Sequence, residues 1–303
     1  MAIYDLIIIG GGSSAFSAAM YAGRLKLKTL VICEKRGGTL VLTNDISNWP
    51  GIKKTDGLTL TKQIEDHALE YGIEVMDKKV TSAKKSGEHF LVSTDDGRFE
   101  SKTLIFATGT EVRKLGVKGE EEFTGKGVHF CALCDGFFYK GKTIAVIGGS
   151  DSAAKEALLL TQWANKVYVI ARTTLHPEPV NAERIKASDK IEVINGTTLR
   201  EVFGEKKVTG VVLDKPYTGS NRLALDGIFV EIGRTANSDL AKSLGVELNQ
   251  KGEIKITRDS STNVIGIYAA GDVTDTKFKQ AITGSAEGVH AAYSAYEFLN
   301  KKK

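Results

Sequence analysis

Ile3-Tyr4-Asp5-Leu6-Ile7-Ile8-Ile9-Gly10-Gly11-Gly12-Ser13-Ser14-Ala15 is the stretch that decides the fold. Residues 3–9 form a short apolar run that reads as a buried strand. The glycines follow without a gap, and residues 15–24, rich in alanine, read as a helix. Thr29-Leu30-Val31-Ile32-Cys33 reads as a second strand, closed by Glu34. Strand, glycine turn, helix, strand and acid form the setting in which a GxGxxA motif binds a dinucleotide. Gly10 makes the tight turn, Gly12 lets backbone approach a pyrophosphate, and Ala15 keeps helix and sheet close. Amide groups at the helix start, Ser13 and Ser14 among them, and the helix dipole would hold the diphosphate. Glu34 can accept hydrogen bonds from ribose hydroxyls.

The same pattern returns further along. Residues 142–147 read as a strand, Gly148-Gly149-Ser150-Asp151-Ser152-Ala153 as the turn, 154–163 as a helix and 166–170 as the next strand. The register is constant: about 138 residues separate Gly10 from Gly148 and also Glu34 from Arg172. An acid at that place suits a free ribose diol, whereas arginine suits a ribose 2′-phosphate. The first unit therefore reads as an FAD site and the second as a nicotinamide site, for NADP in preference to NAD. Ser150 stands where Gly12 stands in the first copy; its Cβ crowds a pyrophosphate, although its hydroxyl can donate to one.

A third stretch completes the first unit. Residues 262–272 read as a strand running into Gly271-Asp272, followed by Lys279-Gln280-Ala281 and a helix to Leu299. Ala286, Val289, Ala292 and Tyr296 recur at helical spacing and read as its core face. Asp272, at a strand end, can accept from a ribityl hydroxyl. Phe106-Ala107-Thr108-Gly109 is another strand-end turn whose small residues permit close approach of a ligand. Together these segments predict an α/β protein with two Rossmann-like three-layer dinucleotide-binding domains, the second inserted into the first. The expected boundaries are 1–112 and 238–303 for the flavin domain and 113–237 for the inserted one.

Cys131-Ala132-Leu133-Cys134-Asp135-Gly136 lies just ahead of the second glycine turn. A CxxC pair serves zinc or redox chemistry. Zinc needs two more ligands at suitable spacing, and His67, His89, His129, His176 and His290 form no such set, so no metal site is expected. Two intervening residues allow a small disulfide ring, and a helix start would lower the pKa of one thiol. Asp135 is placed to carry the proton that dithiol chemistry moves; its structural alternative is a helix cap. Cys33, alone in an apolar run, reads as an inert core residue.

Composition sets outer limits. The chain has 303 residues, 42% hydrophobic and 26% charged, enough for about two domains. No apolar run approaches the ~18 residues of a membrane span. Residues 3–9 are short, contain Asp5 and follow no basic segment, unlike a signal peptide. A cytoplasmic protein without membrane association is expected. The formal charge of +4 comes with no arginine cluster or RNA-module pattern, which argues against nucleic acid. The lysines at 301–303 read as a frayed tail.

These residues resemble the low-molecular-weight thioredoxin reductases over nearly the whole chain. The markers are residues 10–15, Gly37-Gly38-Thr39-Leu40, Asn48-Trp49-Pro50-Gly51, Ala107-Thr108-Gly109, the CxxCDG at 131–136, residues 148–153, Ala270-Gly271-Asp272 and Gln280-Ala281. CxxCDG before a second fingerprint is shared with the alkyl hydroperoxide reductase flavoprotein, whose extra N-terminal domain is not expected here, and with small dithiol oxidases. The resemblance implies a homodimer that passes a hydride from NADPH to FAD and then electrons to a Cys131–Cys134 disulfide and to thioredoxin or a thioredoxin-like protein. It implies that Cys134 faces the flavin and that Cys131 attacks the substrate disulfide. The small domain would rotate about hinges near 110–114 and 234–238. It extends the flavin contacts to Lys35, Gly38, Thr39, Leu40, Asn48, Val80, Lys279, Gln280 and Ala281. The chain departs from the family at the nicotinamide site. The usual His-Arg-Arg-x-x-x-Arg is here Ala171-Arg172-Thr173-Thr174-Leu175-His176-Pro177, of which only Arg172 matches. NADH, or reduced ferredoxin with the second site as scaffold, are the alternative donors; a small-molecule dithiol oxidase is the alternative activity.

Overall fold

The protein is described by a computed structural model over residues 3–42, 46 and 48–301. Two compact units result: residues 1–111 with 235–303, and residues 112–234. The chain therefore crosses twice between them, through the strands Thr110–Val112 and Arg234–Ala236, which pair with each other.

The first unit is built on a seven-stranded sheet. Its order is Glu74–Asp77, Thr29–Cys33, Tyr4–Ile9, Arg98–Phe106, His89–Thr94 and Val80–Ser86, with Ile267–Ala269 also paired to Arg98–Phe106. The strands around Tyr4–Ile9 are parallel, and Val80–Ser86, His89–Thr94 and Arg98–Phe106 form an antiparallel meander. The run read as one strand from 262 narrows to Ile267–Ala269. Side chains alternate between two faces, as a pleated strand requires. Leu6 and Ile8 pack with Ala15, Ala18, Ala19 and Ala22 of the Ser13–Arg24 helix and with Ala291, Ala292 and Ala295 of the Ala281–Lys301 helix. Ile7 and Ile9 pack on the other face with Val92, Phe106, Ile254 and Val273. Each such aliphatic side chain contributes roughly 1.5–3 kcal/mol.

The Ala281–Lys301 helix turns a different face inward from the one its bulky residues suggest. Gly284, Ser285, Gly288, Ala291, Ala292 and Ala295 are buried, Ala286 is exposed, and Val289 and Tyr296 are half-buried. The reason is close packing. A Cβ on Gly288 would run into the Ser14 carbonyl, and one on Gly284 into the Ser14 hydroxyl. Only a stripe of the smallest residues lets this helix lie on the Ser13–Arg24 helix, so hydrophobic spacing misplaces the face. Lys301 ends the helix; Lys302 and Lys303 of the expected tail lie outside the described residues.

The second unit holds a parallel sheet in the order Ile191–Asn195, Lys166–Ala171, Thr143–Ile147, Gly227–Val230 and Val128–His129. Ile144 and Val146 face the Asp151–Leu160 helix through Ala153, Ala157 and Leu160. Ala145 and Ile147 face a cluster that includes Val202, Val211 and Leu213 from an antiparallel three-stranded sheet. That helix begins at Asp151, three residues before the expected start, because Asp151 and Ser152 already have helical geometry behind an extended Ser150.

Candidate nucleotide and redox sites

The first glycine turn sits at the carboxyl end of the parallel strands, where open α/β sheets bind ligands. Gly10 donates to the Ile32 carbonyl (2.9 Å) and Ala107 donates to Ile9 (2.8 Å). Gly10 adopts φ 130°, and a Cβ there would run into the Ala107 carbonyl, so only glycine fits. Gly12 differs: a Cβ on it would meet only the Gly38 Cα, at 3.9 Å. Packing within the protein leaves that position free, so its bareness suits something other than protein. Gly12 is also the extended N-cap of the Ser13–Arg24 helix, with no side-chain cap and no acid in the first turn. The first amides of that helix are thus left for an anion, as a diphosphate requires.

Around this turn the structure gathers several of the expected residues. Gly38 lies beside Gly12, with Thr39 and Leu40 in the turn of helix that follows. Asn48 donates to Gln280 (2.9 Å), joining segments 232 residues apart. Gly271 sits at φ 83°, where a Cβ would run into the Ser14 hydroxyl, and its N–H donates to Glu287 (2.7 Å). Glu287 also accepts from Thr274 and Thr276 and so holds the Gly271-Asp272 turn. It escaped the sequence reading; a lone acid on a helix face lined by glycine and alanine is the signal. Thr108 and Asn237 exchange hydrogen bonds of 2.7 and 3.1 Å beside Gly109. Glu34 and Lys35 are exposed, with the Glu34 carboxylate 4.0 Å from Lys79. Val80 is a member of the core, and the Lys279 ammonium is held by the Asp272 and Thr274 carbonyls (2.7 and 2.6 Å) and by Glu253 (2.8 Å). Cys33 is buried, and burial first, then Asp77, pushes its thiol up to about 11, as an unreactive core thiol would be.

The second turn repeats the scaffold. Gly148 donates to Ile170 (3.0 Å) and Glu231 donates to Ile147 (2.7 Å). Its helix N-terminus is furnished differently. Ser150 is the N-cap and makes no side-chain cap bond, and Asp151 places a carboxylate in the first turn. Burial opposes ionisation of Asp151. Lys155, Asn181 and the Glu178 N–H nonetheless hold its carboxyl below the usual range. The Arg172 side chain is exposed. The first turn of this helix thus carries a carboxylate, paired with Lys155, that the first helix lacks.

The redox turn is in the same unit. Cys131 and Cys134 form a disulfide with Cα atoms 5.4 Å apart. Cys131 caps the short helix Ala132–Asp135, its Sγ accepting from the Cys134 N–H at 3.1 Å. Gly136 is required next, since a Cβ there would strike Trp163 and Leu160. Behind the turn stand Glu156, Glu231 and Tyr139, which the sequence did not single out, and His129, which it weighed only as a zinc ligand. The Ala132 N–H donates to Glu156 (2.8 Å). Burial, with repulsion from Glu231, raises the Glu156 carboxyl to about 7; burial likewise raises Glu231, against the pull of Arg234. Glu231 follows the Gly227–Val230 strand directly, beside Gly148. His129 Nδ1 lies 2.9 Å from Asp135 Oδ2, and its Nε2 lies 2.7 Å from the Tyr139 hydroxyl. These pairings span 6 to 24 residues and leave no local pattern, although His129 stands two places before Cys131.

Among the described residues no cluster of His, Cys, Asp or Glu could hold a metal, and no helix is long and apolar enough to cross a membrane.

Comparison with known proteins follows the same lines. The family model described as pyridine nucleotide-disulphide oxidoreductase matches residues 4–288. The F subunit of the Staphylococcus aureus alkyl hydroperoxide reductase is 38% identical over 300 residues, which cover 98% of this chain and 59% of that protein. The chain thus spans little more than half the length of the curated relatives it matches. Among solved structures, the thioredoxin reductase of Lactococcus lactis superimposes with a TM-score of 0.94 at 35% identity, covering 98% of this chain and 99% of that one. A ferredoxin-flavin thioredoxin reductase from Clostridium acetobutylicum gives a TM-score of 0.56 at 29% identity, covering 100% and 99%.

Proposed function

Because the chain belongs to the pyridine nucleotide-disulphide oxidoreductase family, among the low-molecular-weight thioredoxin reductases, we propose that it is an FAD-dependent disulfide reductase. Electrons pass from a reduced donor, through flavin and the Cys131–Cys134 disulfide, to thioredoxin or a thioredoxin-like protein. The observation that carries this reading is that disulfide, formed at a helix start in the same unit as the second glycine turn. Bound FAD supplies the two-electron chemistry. In the first unit Gly10, Gly12, Ser13, Ser14 and Ala15 would hold its diphosphate, Glu34 its ribose and Asp272 a ribityl hydroxyl, and Gly38, Asn48, Gln280 and Ala281 would complete the site. Cys131 attacks the substrate disulfide, Cys134 receives electrons from the flavin side, and Asp135 gives and takes the proton. A homodimer in the cytoplasm completes the reading.

NADPH is the first donor to consider, with Gly148, Gly149, Ser152, Ala153 and Arg172 at its site. A second reading, ferredoxin as donor, is favoured by Asp151 and Ser150 at the second turn and by the likeness to the Clostridium acetobutylicum protein. Anaerobic titration separates the two. Bleaching of the flavin band by NADPH, followed by thioredoxin reduction, supports the first reading; bleaching by reduced ferredoxin alone supports the second. A protein that binds no flavin, or whose reduced flavin never opens the disulfide, would sink both.

A further inference from the structure

His129 ends the Val128–His129 strand and is 9% exposed. Its ring stacks on Phe229 (5.3 Å, 26°) and meets Tyr139 edge-on (5.4 Å, 76°). An ionised carboxylate only accepts, so the contact to Asp135 requires the proton on Nδ1; Nε2 then offers a lone pair to the Tyr139 O–H. That hydroxyl remains a donor across the working pH range. Burial, then the charges of Asp135 and Asp226, push it up to about 12. Asp226 is itself held by the Thr143 N–H (3.0 Å) and by Lys142 (3.5 Å). Phe229, the side chain stacked on His129 from the Gly227–Val230 strand, is uncharged, so the groups facing the imidazole are Asp135 and Tyr139, with Asp226 beyond. A phenol, an imidazole and a carboxylate thus form one directed chain ending at the side chain next to Cys134.

We propose that His129 and Tyr139 are positioning residues for the redox centre, fixing the Asp135 carboxylate so that it can exchange a proton with the dithiol. The proposal rests on the reading of Asp135 as the acid–base group. When an external dithiol reduces the centre, that dithiol becomes a disulfide and releases two protons, and the Cys131–Cys134 bond breaks to two thiolates. The Asp135 carboxylate, held by His129 Nδ1–H, takes up one of the two released protons and passes it to one thiolate, which returns it to the carboxylate form; the second proton leaves to solvent. The other sulfur equilibrates with solvent. Oxidation runs the same transfers backwards.

The test uses the flavin-loaded protein, reduced with dithiothreitol and freed of it. Its reaction with an aromatic disulfide, 5,5′-dithiobis(2-nitrobenzoate), is followed by arylthiolate release across pH, a readout that needs no electron transfer through flavin. His129→Leu is expected to slow the reaction roughly tenfold and displace the pH profile in the same direction as Asp135→Asn. His129→Asn, which keeps a donor near Nδ1, should recover most of the rate, and Tyr139→Phe should lose about threefold. Residues acting as a unit are non-additive, so His129→Leu should cost nothing further in the Asp135→Asn background. A loss that persists undiminished there, or an unmoved pH profile, overturns the proposal and leaves Asp135 standing. An Asp135→Asn protein with unchanged rate and profile overturns both. If His129→Leu does not fold, Tyr139→Phe alone and in the Asp135→Asn background decides by the same criteria.

Discussion

The two glycine turns share one hydrogen-bond plan. Gly10 bonds to Ile32 as Gly148 bonds to Ile170, Ala107 to Ile9 as Glu231 to Ile147, and the Gly11 and Gly149 carbonyls each accept from the loop that follows, through Gly37 and His176. Their linings differ. The first has glycine at its third position, no acid in the first helical turn, and a small neutral residue, Ala107, on the adjoining strand end. The second has Ser150, the charge of Asp151, and a half-buried carboxyl, Glu231, on the matching strand end. The same backbone thus presents a positive, bare helix end in one unit and a crowded, negatively furnished one in the other. Backbone geometry fixes where a ligand can sit, whereas a few side chains decide whether an anion is welcome.

The sharpest test of this contrast removes the chemistry from the second unit alone. Cys134→Ser should reduce disulfide-reductase turnover to background while the protein keeps its yellow flavin band; normal turnover would break the proposed division of labour. Next, Gly12→Ser gives the first turn what the second has. Its hydroxymethyl group enters the space next to Gly38, and flavin retention measured by ultrafiltration should weaken about 10- to 100-fold. Full occupancy would mean that the bareness of Gly12 serves no ligand.

Glu156→Gln probes the acidic lining through stability. The folded protein holds a proton on Glu156 up to about 7, against an ordinary value of 4.5. Between these values the native state binds more protons than the unfolded chain, so stability falls as pH rises through that window and levels off above it. The glutamine variant escapes that fall. By urea unfolding it should gain about 1–3 kcal/mol on the parent protein between pH 5 and pH 8; a difference independent of pH would show that Glu156 titrates normally. The smallest effect is expected from Ser150→Gly combined with Asp151→Asn. Removing the side chain and the charge should raise NADPH affinity about 3- to 10-fold, read by flavin bleaching. An unchanged response would move the donor question away from this helix end.

Much of this was legible from local spacing. The residues at 10–15 and 148–153 announce both turns because the motif, the flanking strands and the helix are contiguous, and Cys131 with Cys134 announces the disulfide for the same reason. What stayed hidden depends on contacts between segments. Asn48 with Gln280, Glu156 with Ala132, and the imidazole of His129 between Asp135 and Tyr139 are joined by tertiary structure, and nothing in their neighbours reports it. The Ala281–Lys301 helix shows how spacing misleads, because its inward face is chosen by closeness of approach, which favours Gly284 and Gly288 over Val289.

That closeness also bears on the order in which the protein is made. The Ser13–Arg24 helix is synthesised before the inserted 112–234 unit, but the surfaces that cover it, Ala291, Ala292 and Ala295 with the two glycines against Ser14, are synthesised after that unit. The 112–234 unit is one unbroken stretch and can fold on the ribosome as it emerges. Its partner cannot, because its sheet lacks the Ile267–Ala269 strand and the Ala281–Lys301 helix that covers it until translation has passed both. Nascent chains would therefore carry a finished redox turn before the first unit is closed, and a cofactor of that unit must wait for the Ala281–Lys301 helix.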